Sequence, residues 1–343
     1  MVAPECRRCG GTRHSARVGI SPHNVHGTCF VGEIAMRTTI ASAITFALAA
    51  WVAATPTSAA PLVTVQQGGV GRWTGIAAKE CGIYGKRYAA VDAVCYYPVD
   101  IRAKPGAHAI NLWDQDGKLH KGTLRVEKTD FPEVQMTLPD TLDRFLHIAN
   151  DDLARAKADR AATAKILGGT LDEPSFSLPL AAPTASLPKS EDDFGSLRVF
   201  DPQHRSLHSG RDYPVPEGNA VRAVADGTVV LAADQFFSGN SVYVDHGDGL
   251  LSMNFHLSSI AVKDGDVVKR GQTLGKIGAT GRATGPHLHL GVRWLGKRVD
   301  PALLLATPDA LPSVADTPQE AQRKIDKAET REPPETDDID DEG

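Results

Sequence analysis

Between Gly210 and Gly296 the chain runs as short apolar stretches broken by glycine, and residues 194–306 contain no amphipathic helix long enough to cover a sheet. Glycine between short apolar runs marks turns that join strands, so this stretch is restricted to an almost all-β fold. The pattern predicts strands at 220–224, 227–231, 241–245, 251–257 and 287–294, with two tight turns between short strands from Val262 to Ile277. A chain of 343 residues with 41% apolar content can hold one or two packed domains plus tails.

Upstream, residues 61–139 also read as short strands. Val63–Val65, Tyr88–Val91, Ala109–Leu112 and Thr123–Val126 have β-type composition, and Lys104-Pro-Gly106 and Asp114-Gln-Asp-Gly117 are turn signals. That spacing predicts a small β-sandwich of immunoglobulin-like type. It carries no catalytic cluster and reads as a spacer or docking module. In the segment 140–193, Leu142, Phe145, Leu146, Ala149, Leu153 and Ala156 recur at helical spacing, followed by a stretch rich in Pro and Gly. This predicts a linker, helical and then extended. Residues 307–343 are dense in Pro, Glu and Asp and predict a disordered acidic tail.

The apolar run from Ile40 to Ala54 follows Met36-Arg37 and precedes the small residues Ser58-Ala-Ala60. A spanning helix takes roughly 20 apolar residues. The shorter run with its basic start and small-residue end describes a signal peptide at 36–60. The chain is therefore expected to be exported to the periplasm or cell envelope, with cleavage favoured over a retained anchor. Residues 1–35 then lie before the start of the signal, and we read them as an extension from a mis-assigned start codon. They hold Cys6, Cys9 and Cys29, and Cys6-x-x-Cys9 without a second pair is a weak metal signal. After processing only Cys81 and Cys95 remain, and in an exported protein they are expected to form a disulfide contributing on the order of 3 kcal/mol.

Histidines carry the chemistry. They fall in His208-Ser-Gly-Arg-Asp212, in Asn254-Phe-His256-Leu257 and in Gly285-Pro-His287-Leu-His289. Residues i and i+2 of a strand face one side, so His287 and His289 project together. An HxH pair plus an HxxxD offers three ligands for one Zn²⁺, and three protein ligands leave the fourth position open, as in catalytic sites. No cysteine lies in this region to close a structural site. His204 and His246 read as structural. The Gly278–Gly285 run lacks the ending of a phosphate loop and reads as a flexible wall of a groove. The net charge of −5 argues against a nucleic-acid partner.

From Phe194-Gly-Ser196 to Asp300-Pro301 the chain resembles the M23 (LytM/lysostaphin-type) metallopeptidases. The resemblance rests on HSGRD at 208–212, the turn at 244–250, His256-Leu-Ser258, the stretch Gly278 to His289 that ends Thr-Gly-Pro-His-Leu-His, and Val299-Asp-Pro301. It implies a mainly β protein: an N-terminal β-sandwich, a helical linker and a C-terminal all-β LytM-type peptidase domain at 194–306. It further implies one Zn²⁺ per chain held by His208, Asp212 and His289, with His256 and His287 as catalytic histidines that do not bind the metal. The implied activity is hydrolysis of peptidoglycan stem peptides or cross-links by a monomer, with cell-envelope regulators as further partners. Two other readings stand beside it. One is a LytM-type regulator without catalysis that activates another wall hydrolase; such relatives usually lose a ligand, and here all five residues are present. The other is a lipoyl- or biotin-type carrier domain, which would need a Met-Lys attachment pair that is absent. Relatives often have an aromatic residue where this chain has Asn254, a change with consequences for substrate fit.

Overall fold

The computed structural model describes residues 60–170, 172–190, 194–314, 319–320 and 323–324. The apolar run at 40–54, the Cys6-x-x-Cys9 pair and the acidic end of the chain lie outside these residues. The described residues are mainly β, with few helical turns. No helix among them is long and apolar enough to cross a membrane.

The N-terminal region is built from β1 (Leu62–Gln66), β2 (Val70–Trp73), β3 (Ala78–Ile83), β4 (Lys86–Ala89), β5 (Cys95–Pro98), β6 (Gly106–Asp114) and β7 (Leu119–Glu127). Five of these form a sheet in the order β1-β7-β6-β3-β4, and β2 pairs with β5. Side chains alternate as the period of a strand requires: Val63 and Val65 of β1 are buried while Leu62 is exposed, and Ile110, Leu112, Leu124 and Val126 line the same core. Trp73 and Tyr97 cover that core from β2 and β5, while Tyr96, on the other face of β5, packs against Trp294 with ring centroids 5.6 Å apart. The disulfide Cys81–Cys95, with Cα atoms 5.4 Å apart, links the larger sheet to the smaller one.

The segment that follows holds β8 (Glu133–Gln135), a 3-10 turn at Asp140–Phe145 and α1 (Asn150–Ala164). The apolar residues spaced for one helix over 142–156 are divided between these two elements. Phe145 is buried against Phe236, with ring centroids 5.0 Å apart, whereas α1 buries no residue. With Ala and charged residues around its circumference, α1 docks by polar contacts instead. Asp159 Oδ2 accepts from the Phe236 amide at 2.7 Å, and Gln235 Nε2 donates to Thr163 Oγ1 at 2.9 Å.

The C-terminal region comprises β9 (Leu197–Val199), β10 (Arg205–Leu207), β11 (Gly210–Tyr213), β12 (Ala220–Arg222), β13 (Gly227–Gln235), β14 (Gly239–Asp245), β15 (Leu250–Leu257), β16 (Ser259–Ile260), β17 (Val267–Val268), β18 (Thr273–Lys276), β19 (Leu288–Trp294) and β20 (Lys297–Val299), closed by α2 (Pro301–Leu305). The main sheet runs β11-β19-β15-β14-β13-β17, with β20 also on β19. One small sheet, β12-β18-β16, lies beside it, and another, β10-β9-β8, recruits its edge from the linker.

Both regions contribute to one buried apolar cluster. Polar clamps reinforce the junction: Arg298 donates to Asp100 through Nη2 at 2.6 Å and Nε at 3.0 Å, and the Ala89 amide donates to Asp248 Oδ1 at 3.1 Å. The packed chain also continues past residue 307, the boundary expected for the tail. Leu311 is 1% exposed, the Arg72 amide donates to the Pro312 carbonyl at 2.9 Å, and the Val314 amide donates to the Arg72 carbonyl at 3.0 Å. The apolar Leu311 and the available backbone groups of β2 recruit this stretch.

Candidate active site

The five residues singled out from the sequence line one open cavity of about 450 Å³. Strand register brings the first two together: β11 lies antiparallel to β19 with Asp212 directly opposite His289. His208 stands just before β11, fixed by its amide donating to the Ser196 carbonyl at 2.9 Å and its carbonyl accepting from Gly195 at 2.8 Å. The glycine of HSGRD has a steric cause. A Cβ on Gly210 would lie 2.5 Å from His289 Nε2 and 2.6 Å from the Leu290 carbonyl oxygen, so only hydrogen fits there.

Three donor atoms converge. His289 Nδ1 is 2.8 Å and His208 Nε2 3.2 Å from Asp212 Oδ1, and the two nitrogens are 3.0 Å from each other. Two imidazole nitrogens turned on one another and on a single carboxylate oxygen form a ligand set suited to a divalent ion, and the donor chemistry fits zinc with an open fourth position. The surroundings hold these ligands in place. The Phe255 ring stacks on His289 at 5.0 Å and 2°, and Arg198 Nη2 donates to Asp212 Oδ2 at 2.6 Å, leaving Oδ1 for the cluster. Partners of this kind orient ligands around a metal. Burial raises the Asp212 carboxyl, but hydrogen bonds from His208 and His289 outweigh it and hold the group well below the usual carboxylate range.

His256 and His287 face the same space, with ring centroids 4.8 Å apart. His256 Nδ1 donates to the Thr280 carbonyl at 2.8 Å, and His287 Nδ1 donates to the Gly285 carbonyl at 2.9 Å. A carbonyl can only accept, so in each neutral ring the proton sits on Nδ1 and Nε2 keeps its lone pair. His287 Nε2 lies 3.7 Å from Asp212 Oδ1. Burial, then the charges of His287 and His289, push His256 down to about 3, so its ring is neutral near neutral pH. His256 also has φ of 62°, a left-handed backbone costing about 1–3 kcal/mol for a residue with a side chain.

Several expectations are refined here. The wall at 278–285 packs closely on the turn at 237–239: a Cβ on Gly281 would meet the Gly239 amide nitrogen at 2.4 Å, and the Arg282 amide donates to the Phe237 carbonyl at 2.8 Å. Asn254 does not reach the cavity. Alternation along β15 turns Phe255 toward the cavity and leaves Asn254 fully buried, both its amide atoms without a hydrogen-bond partner. Arg198 escaped the reading of the sequence because no periodicity marks it; only the pairing of β9 with β8 and β10 sets it beside Asp212.

Comparison with known proteins gives matching results. The model of the family described as Peptidase family M23 matches residues 206–301. A Pseudomonas aeruginosa protein with a crystal structure, titled as a peptidase M23, is 31% identical, with 69% of this chain and 93% of that one covered at a TM-score of 0.53. The DD-carboxypeptidase/endopeptidase Mpg of Neisseria meningitidis serogroup B is 40% identical over 104 residues, 30% of this chain and 24% of the relative. The peptidoglycan DD-endopeptidase ShyC of Vibrio cholerae is 45% identical over 82 residues, 24% of this chain and 19% of the relative. The similarity thus spans about a quarter or less of these curated relatives.

Proposed function

This chain belongs to peptidase family M23, and from that premise we propose that it is an exported, zinc-dependent endopeptidase that hydrolyses peptide bonds in peptidoglycan stem peptides or cross-links. The observation that carries this reading is the convergence of His208 Nε2, Asp212 Oδ1 and His289 Nδ1 beside two imidazoles whose Nε2 atoms make no hydrogen bond among the described residues. Zinc held by these three residues would supply Lewis-acid chemistry, lowering the pKa of water toward neutrality and polarising a carbonyl.

The protein's own groups do the rest. His256, neutral and oriented by Thr280, accepts a proton at Nε2. His287, oriented by Gly285, presents its Nε2 to the same space; once protonated it donates to oxygen or to the departing amine. Arg198 fixes the carboxylate that orients the cluster. The groove admits an extended peptide over these groups. Substrate and export are carried to this chain from the names of its relatives and from the apolar run at 40–54.

Digestion of purified peptidoglycan, with products identified by mass, tests the proposal. Expected are peptides with new amino and carboxyl ends at intact glycan, abolished by chelation and restored by zinc. A metal-loaded protein that releases no product would overturn the enzymatic reading and favour a regulator.

A further inference from the structure

The cavity wall carries charge that the hydrolytic groups do not use. Its lining holds two guanidiniums, Arg198 and Arg282, and one carboxylate, Asp212. Arg198 is bound to that carboxylate. Arg282 is in a different position: its guanidinium carbon lies 4.8 Å from the centre of the Phe200 ring and 5.2 Å from that of Phe237. Its hydrogen bond to a side chain is a long one, from Nη2 to Ser206 Oγ at 3.4 Å. Among the described residues no carboxylate pairs with it. Burial, then the nearby charge of Arg198, work against its charged form, and no carboxylate among the described residues offsets them. A guanidinium packed on two aromatic rings has its N–H fork restrained for a planar two-oxygen partner.

Its place in the fold gives this fork a use. Thr280, whose carbonyl orients His256, is in the same wall segment, and the Arg282 backbone is anchored on Phe237. The cation is therefore carried by the same stretch of chain as the carbonyl that orients the proton-accepting imidazole.

We propose that Arg282 is a specificity-determining residue that receives a free carboxylate on the substrate, in the same cavity as the hydrolytic groups. The inference rests on the reading of the groove as a peptidase site and narrows its substrate class to anionic peptides.

The test compares synthetic D-alanyl peptides that differ only in carrying that carboxylate free or as the primary amide. Two readouts are taken with the full-length zinc-loaded chain: kcat/KM, and binding by calorimetry. The free acid is expected to be favoured roughly ten- to a hundredfold, the range a hydrogen bond to a charged group supports. Arg282→Met, which keeps an apolar stem between the rings, should bring the ratio close to one, and Arg282→Lys should keep part of it. Equal binding of acid and amide by the unaltered protein would overturn the proposal without any variant, as would a Met variant that retains the preference. If neither peptide is cleaved while the acid still binds better, the peptidase reading fails and the anion subsite stands.

Discussion

His246 and His256 flank the body of β15, and both are buried imidazoles. Burial is the first cause of a lowered pKa in each, to about 4 for His246 and about 3 for His256. They differ in what their nitrogens meet. His246 has both satisfied by the protein, Nδ1 donating to the Asp226 carbonyl at 2.7 Å and Nε2 paired with Ser252 Oγ at 2.8 Å. His256 has only Nδ1 satisfied. Burial and a shifted pKa therefore do not separate a structural histidine from a chemical one here. The separating property is one nitrogen left without a protein partner in a cavity, beside a convergent ligand set.

The comparison can be broken most severely at the ligands. Asp212→Ala is expected to lose zinc and activity together, and metal analysis alongside rate checks it; a variant that keeps both would remove Asp212 from the site. Next comes His256→Ala. It should keep close to one zinc per chain while turnover falls by about 10²–10⁴-fold, the usual contribution of a general acid or base. Purification without zinc would make His256 a ligand instead. His246→Ala should do the opposite. It leaves a cavity and strands Ser252 and the Asp226 carbonyl, costing about 2–4 kcal/mol by denaturant titration, with zinc content and turnover per folded molecule retained.

A smaller effect sharpens the contrast through pH. His246 has a folded pKa of about 4 against 6.5 when unfolded, so its contribution is present above pH 6.5 and is lost as pH falls toward 4. Asp248 has the reverse sign. Burial raises its carboxyl from 3.8 to about 7, so its contribution is present below pH 3.8 and is lost as pH rises through 7. Between pH 4 and 6.5 the Asp248 slope opposes those of His246 and of His256, which is depressed in the same way, so stability should rise with pH. Asp248→Asn removes the opposing slope, and stability should then climb more steeply than the parent's, by about a further 1.4 kcal/mol per unit across that window. A variant no steeper than the parent would mean that Asp248 does not titrate in this way.

The legible part of this protein was what local pattern encodes. HSGRD, the HxH pair and the middle histidine mark the cavity because ligand spacing and strand alternation are short-range properties. The strands at 241–245 and 251–257 are apolar runs bounded by turns, and Cys81 and Cys95 are the pair that the expected export would leave. What escaped depends on contacts distant in sequence. Asp212 meets His289 through the pairing of β11 with β19, and Phe255 reaches that imidazole from β15. Arg198 and Arg282 look like any surface cations until the sheets assemble around the cavity. The helical spacing over 142–156 did yield helix, at 140–145 and 150–164, but propensity alone does not supply a surface to bury against, and of these residues only Phe145 is buried.

The packing of residues 311–314 on β2 also bears on how this chain meets proteases. The N-terminal sheets are joined to the C-terminal ones by the linker and, independently of it, by shared packing to which residues 311–314, returning to hold Arg72, add. A nick near 146–149 would cut the covalent path and leave the second attachment whole. The nicked protein should migrate as one species on a native gel and separate into two fragments only when denatured.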